Sequence, residues 1–195
     1  MDCMQTTELI GNQVQLVHGR LSGLAGATTE EWLARTAPGE NRIGFLAWHV
    51  VATRDWLAQS ILRRQRPIGW DEPFSTSGMA VCEIPFGMPL DEADRIAETV
   101  EPKDVVAYSA AVTRALLAWL ESATDAEIGE PSASATGHWD LSSRYTDPAY
   151  REEIAREDMT GWPVWKLFSR PALLHGATHL TEVDVARKAA RAAVG

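Results

Sequence analysis

A chain of 195 residues, 45% of them hydrophobic, is long enough to bury a full core as one domain, and nothing in it demands a second. A net charge of −9 without any basic stripe excludes the usual nucleic-acid binder, which clusters Lys and Arg against phosphates. No run approaches the roughly 18 apolar residues of a membrane span, and the N-terminal MDCMQTTELIG lacks the charged start and apolar run of a secretory signal.

The first predicted helix runs from about Thr7 to Leu24, because Ile10, Val14, Val17, Leu21 and Leu24 recur in steps of four and three. His18 lies beside that stripe and reads as a boundary histidine. Gly23 and Gly26 fray the helix end, and Thr28 or Thr29 with Glu31 starts a short turn through Trp32 and Leu33. Pro38 and Gly39 break that turn. The second long helix follows over residues 41–64, with Asn41 as its N-cap. Its apolar face is Phe45, His49, Ala52 and Trp56, so His49 stands where a core residue would. Arg54 and Asp55 lie off that face, and Arg63, Arg64 and Arg66 suit a helix C-terminus, where cations complement the carbonyl dipole.

Residues 65–100 are dense in Pro, Gly and Ser and read as a long connection, with a short helical turn at DEADRIAE, residues 91–98. Trp70, Phe74, Met79, Phe86 and Met88 give it apolar anchors for packing as cladding or as a pocket lid. The third long helix spans Pro102 to about Ser122, with Pro102 in the first turn, where its missing N–H costs nothing. Val105, Val112, Leu116 and Trp119 form its stripe. A second irregular stretch, 123–160, holds His138, Trp139 and Asp140 as an element able to face a substrate, and the charged REEIARED, residues 151–158, as a solvated face.

The last helix starts near Gly161 or Pro163 and carries Phe168, Ala172, His175, His179, Glu182 and Ala186 on one face. Pro171 inside it predicts a kink, or a fresh start about one turn before His175. Four long helices without a convincing alternating strand define an all-α fold, a four-helix bundle with long crossover connections, occupying residues 1–195 as one domain. Cys3 and Cys82 are unspaced for zinc and too few for a disulfide framework, which leaves them free cysteines and a reducing cytoplasm as the simplest location.

Inward side chains of facing helices meet in a bundle, so His49 can converge with the i,i+4 pair His175 and His179. Three neutral imidazoles would leave a divalent ion its full charge and open coordination positions, the catalytic rather than the structural pattern. Glu182, one turn past His179, is the nearest candidate for a general base or for a partner to a histidine N–H.

The pairing of NRIGFLAWH, residues 41–49, with HGATHLTE, residues 175–182, resembles the DinB-like metalloprotein superfamily. That superfamily includes the metal-binding domains of mycothiol- and bacillithiol-dependent enzymes. The resemblance covers the helical framework, and it implies that His49, His175 and His179 form the metal triad; three nitrogens suit zinc, nickel, cobalt, iron or copper, with zinc or nickel favoured. It further implies a low-molecular-weight thiol as cofactor, activated for transfer to a small electrophilic substrate. The alternatives are a metal-dependent hydrolase and a noncatalytic, metal-stabilised association module. Pairing through a helix face would give a homodimer. Pro171 and the length of the two connections depart from the commoner pattern and suggest a pocket reshaped for its own substrate.

Overall fold

The computed structural model describes residues 6–63, 65–80, 88–131 and 161–194. Its elements in chain order are α1 (Thr6–Ser22), α2 (Thr29–Leu33), α3 (Ile43–Asp55), α4 (Leu90–Thr99), α5 (Pro102–Ser122), α6 (Asp125–Gly129), α7 (Val164–Leu167) and α8 (His175–Val194). Wider π-helical turns prolong α3 over Trp56–Arg63 and join α7 to α8 over Phe168–Leu174, and a 3-10 turn occupies Ile68–Trp70. The described residues are helix and connection with only isolated bridges, as expected of an all-α chain.

The predicted stripe of α1 is the buried one: Ile10, Val14, Val17 and Leu21 face inward, chiefly onto α5. The bounds expected for the third long helix are those of α5, where Val105, Val112 and Leu116 are buried and Trp119 stacks on Phe168 with ring centroids 5.5 Å apart. Thr28 caps α2 by accepting the Glu31 N–H at 3.2 Å. The long helices pack α1 on α5, α3 on α5 and α8, and α1 on α8.

Three expectations change. Asn41 does not cap α3. The N-cap is Arg42, without a side-chain cap bond, because the chain enters through an antiparallel bridge between Arg35 and Arg42 that leaves Ile43 N–H on the Ala34 carbonyl at 2.9 Å. The Arg42 guanidinium reaches Asp94 and Glu98 of α4 instead, at 3.1 and 3.0 Å.

Second, α3 has no solvent face: all thirteen of its residues are buried, Arg54 and Asp55 included. α4, which is ten residues long rather than a single turn, covers one side of α3 with Ala93, Ile96 and Ala97, while Arg54 is covered from α1 and α5 and Asp55 from α5 and Gly69. The connection is thus partly cladding, pinned where Trp48 Nε1–H donates to the Met79 carbonyl at 3.2 Å. Third, the last helix does not start afresh at Pro171, one turn before His175. A proline cannot donate and collides with the carbonyl four residues back in an α register, and the path crosses it as π-helical turns that return to α at His175 itself. The buried stripe of α8 is Gly176, Leu180, Val183 and Ala186, so the two histidines flank it and Glu182 is exposed.

Pro131 and Pro163 form an antiparallel bridge, so the chain leaves α6 and rejoins α7 at one place. Arg63 lies in the last helical turn as expected, donating to Gln59 Oε1 at 3.1 Å, while Arg66 sits over the Trp70 ring at 5.7 Å. Cys3, Cys82, Arg64, Phe86, His138, Trp139, Asp140 and the 151–158 patch lie outside the described residues. Among those described, no helix is long and apolar enough to cross a membrane.

Close packing at the start of α3 leaves no room for a side chain at Gly44. A Cβ there would stand 2.5 Å from Trp32 Nε1 and 2.7 Å from Cε2, against an indole that is 3% exposed and donates to the Val100 carbonyl at 2.9 Å. Alanine gains about 1 kcal/mol of helix propensity but overpacks by about 1–3 kcal/mol and threatens the indole bond. Gly44→Ala is therefore expected to lower the urea midpoint, and a midpoint at or above wild type would refute this packing.

Candidate metal centre

The two helices that carry the histidines approach closely at a glycine. A Cβ on Gly176 would lie 3.2 Å from Val50 Cγ1, so the residue between His175 and His179 in HGATH is small where α8 meets α3. That contact carries His49 across the interface. His49 is 6% exposed and stacks on Phe45, one turn earlier, with centroids 5.5 Å apart and planes 17° from parallel.

From α8, His175 and His179 project side by side. Ring centroids lie 4.4 Å apart for that pair, 5.0 Å for His49 and His175, and 5.2 Å for His49 and His179. One nitrogen from each of the three falls within 4.8 Å of the other two, a grouping able to hold a metal ion. Donors about 2.1 Å from a common ion stand ~3–4 Å apart, and the Nε2 atoms of His175 and His179, 3.0 Å apart, already have that separation.

The donor chemistry fits a divalent ion. Burial, with the neighbouring His179 second, pushes the His175 pKa down to about 4, so this imidazole is neutral at pH 7 with a lone pair to offer. Glu182 Oε2 lies 2.9 Å from His179 Nδ1. Because a carboxylate only accepts, it holds the proton on Nδ1 and leaves the Nε2 lone pair turned toward His175.

All three predicted ligands are therefore brought together, and Glu182 joins them through His179 from an exposed position. Two features escaped the sequence reading. Gly176 was legible only as a small residue between two histidines. The burial of Arg54 and Asp55 had a faint signal, a charged pair closing a mostly apolar helix and followed by Trp56.

The profile of the DinB superfamily matches residues 13–146, and the chain belongs to that superfamily. The match takes in His49 and stops before the last helix, so His175 and His179 enter the group on geometry alone. No curated protein matches the chain. What stands established is a DinB-superfamily protein with a three-histidine group that could hold a metal ion.

Proposed function

We propose that this protein is a metal-dependent enzyme in which His49, His175 and His179 hold one divalent ion, zinc or nickel, and a low-molecular-weight thiol is transferred to a small electrophile. The observation that carries the reading is the convergence of three imidazole donors from two helices, with no fourth protein ligand in the group among the described residues. Three protein donors leave positions for an exogenous ligand, as in catalytic rather than structural sites. When bound, the ion supplies Lewis acidity that lowers the pKa of a thiol or water beside it.

The chain's own residues do the positioning. The stack of Phe45 on His49 shields one face of that ring from water and fixes its plane. Glu182 fixes the tautomer and direction of His179 through Nδ1; we assign it this positioning role rather than general base, because its oxygen lies on the side of the ring away from the donor nitrogen. In the transfer, sulfur forms the new bond to the electrophilic carbon, the leaving group departs with its electron pair, and the thiol proton passes to solvent.

Screening small electrophiles with zinc- or nickel-loaded protein, with and without a panel of small thiols, tests the reading. Product is expected only when thiol is present, and loss of product in His49→Ala is expected alongside. Turnover without any thiol would instead establish a hydrolase.

A further inference from the structure

A second polar cluster lies about 140° around the α3 axis from His49, between α1, α3 and α5. At its centre is Arg54, only 1% exposed. Its Nη2 donates to the Val14 carbonyl and to Thr113 Oγ1, both at 3.3 Å and both neutral acceptors. Its Nε and Nη1 find no acceptor among the described residues. The adjacent carboxylate is directed elsewhere: Asp55 Oδ2 accepts from the Tyr108 hydroxyl at 2.6 Å and the Gly69 N–H at 2.9 Å, and its Oδ1, though unpartnered among the described residues, makes no hydrogen bond to Arg54.

The surroundings are cationic and hydroxyl-rich. His18 Nδ1 and Ser109 Oγ share a hydrogen bond of 3.0 Å, and Ser22 Oγ lies 3.4 Å from His18 Nε2. The His18 pKa is lowered, first by burial and then by the positive charges of Arg54 and Arg114. Burial brings Arg54 itself down to about 10, which still leaves it a cation at pH 7.

A guanidinium removed from water normally has a carboxylate or a full set of acceptors, because a charge in a low-dielectric interior is otherwise strongly disfavoured. This chain has nine more acidic than basic residues, yet among those described none is set against Arg54. Water would satisfy the free N–H groups but leave the charge. An anion does both.

We propose that Arg54, with Thr113 beside it and the hydrogen-bonded pair of Ser109 and His18 at the outer edge, forms a binding site for a small anion of carboxylate or halide size, separate from the histidine group. Its role is to complete the α1–α3–α5 packing with a counter-charge that the fold does not itself supply.

Chloride is the probe. In 35Cl NMR of the full-length protein, chloride resonance is expected to broaden, to narrow again on adding acetate, and to lose its broadening in Arg54→Met. It is expected to be unchanged in Arg20→Gln, a surface arginine paired with Asp184 at 2.7 Å. At constant ionic strength, exchanging sodium isethionate for sodium chloride is expected to raise Tm saturably by about 3–6 °C at roughly ten times Kd. Should Arg54→Met fail to fold, Thr113→Val removes one hydroxyl of the site and is expected to cut the broadening several-fold. Equal broadening in wild type and in the Arg54 or Thr113 variant, or a Tm that follows ionic strength alone, overturns the proposal.

Discussion

His175→Ala is expected to leave the purified protein without stoichiometric metal, where the wild type is expected to retain one ion per chain. Zinc-binding free energies of about 10–16 kcal/mol over four donors correspond to roughly 3–4 kcal/mol for each, a loss of about 10²–10³-fold in affinity when one is removed. Two donors remaining at His49 and His179 would not survive dialysis against a chelator. Elemental analysis of both proteins decides the matter, since equal metal content in wild type and variant defeats the site. Glu182→Ala separates ligand from orienting residue. It leaves all three donor nitrogens and frees only the His179 ring, so a loss of about 10–100-fold is expected, smaller than for His175→Ala. The reverse order would remove Glu182 from its positioning role.

Gly69→Ala is expected to be the most damaging single-methyl change away from the histidines. Asp55 is fully buried, and its Oδ2 accepts from the Tyr108 hydroxyl at 2.6 Å and from the Gly69 N–H at 2.9 Å. Burial pushes the Asp55 pKa up, while the bonds from Tyr108 and Gly69 oppose that rise. A Cβ on Gly69 would stand 2.6 Å from Tyr108 Oη and 2.8 Å from Cζ. The ring cannot retreat, because it is 2% exposed and packed on Phe74 at 5.3 Å. Relieving the clash breaks the bond to Asp55 and strands its carboxyl group, which together cost about 2–4 kcal/mol. A fall in Tm of roughly 5–15 °C follows for a chain of this size, read by circular dichroism. Metal content is expected to be unchanged, since Asp55 lies about 120° around α3 from His49. A Tm within about 1 °C of wild type would show that the clamp contributes little.

The long helices were readable because an apolar stripe at a period near 3.6 is a local property. Ile10, Val14, Val17 and Leu21 predict the inner face of α1 without knowledge of what covers it, and Pro102 marks the start of α5. The histidine group was readable for the same reason: spacing puts His175 and His179 on one side of a helix, and His49 interrupts an apolar face. The start of α3 was misread because Asn41 is a good cap by residue type, whereas the bridge between Arg35 and Arg42 decides where the helix begins. Arg54 and Asp55 lie off the His49 face as their spacing predicts, and their burial is not legible locally because it depends on what α1 and α5 lay against α3.

What the sequence by itself determined is the helical class, the long helices and the identity of the three converging imidazoles, all consequences of periodicity and side-chain type. Tertiary structure alone decided that α4 closes the remaining side of α3, that Gly176 lets α8 approach it, and that π-helical turns carry the last helix across Pro171 to His175. It also decided that Glu182 faces His179 Nδ1 and that Arg54 is enclosed beside His18. These are relations between residues far apart in the chain, and no local pattern encodes the distance at which two helices meet.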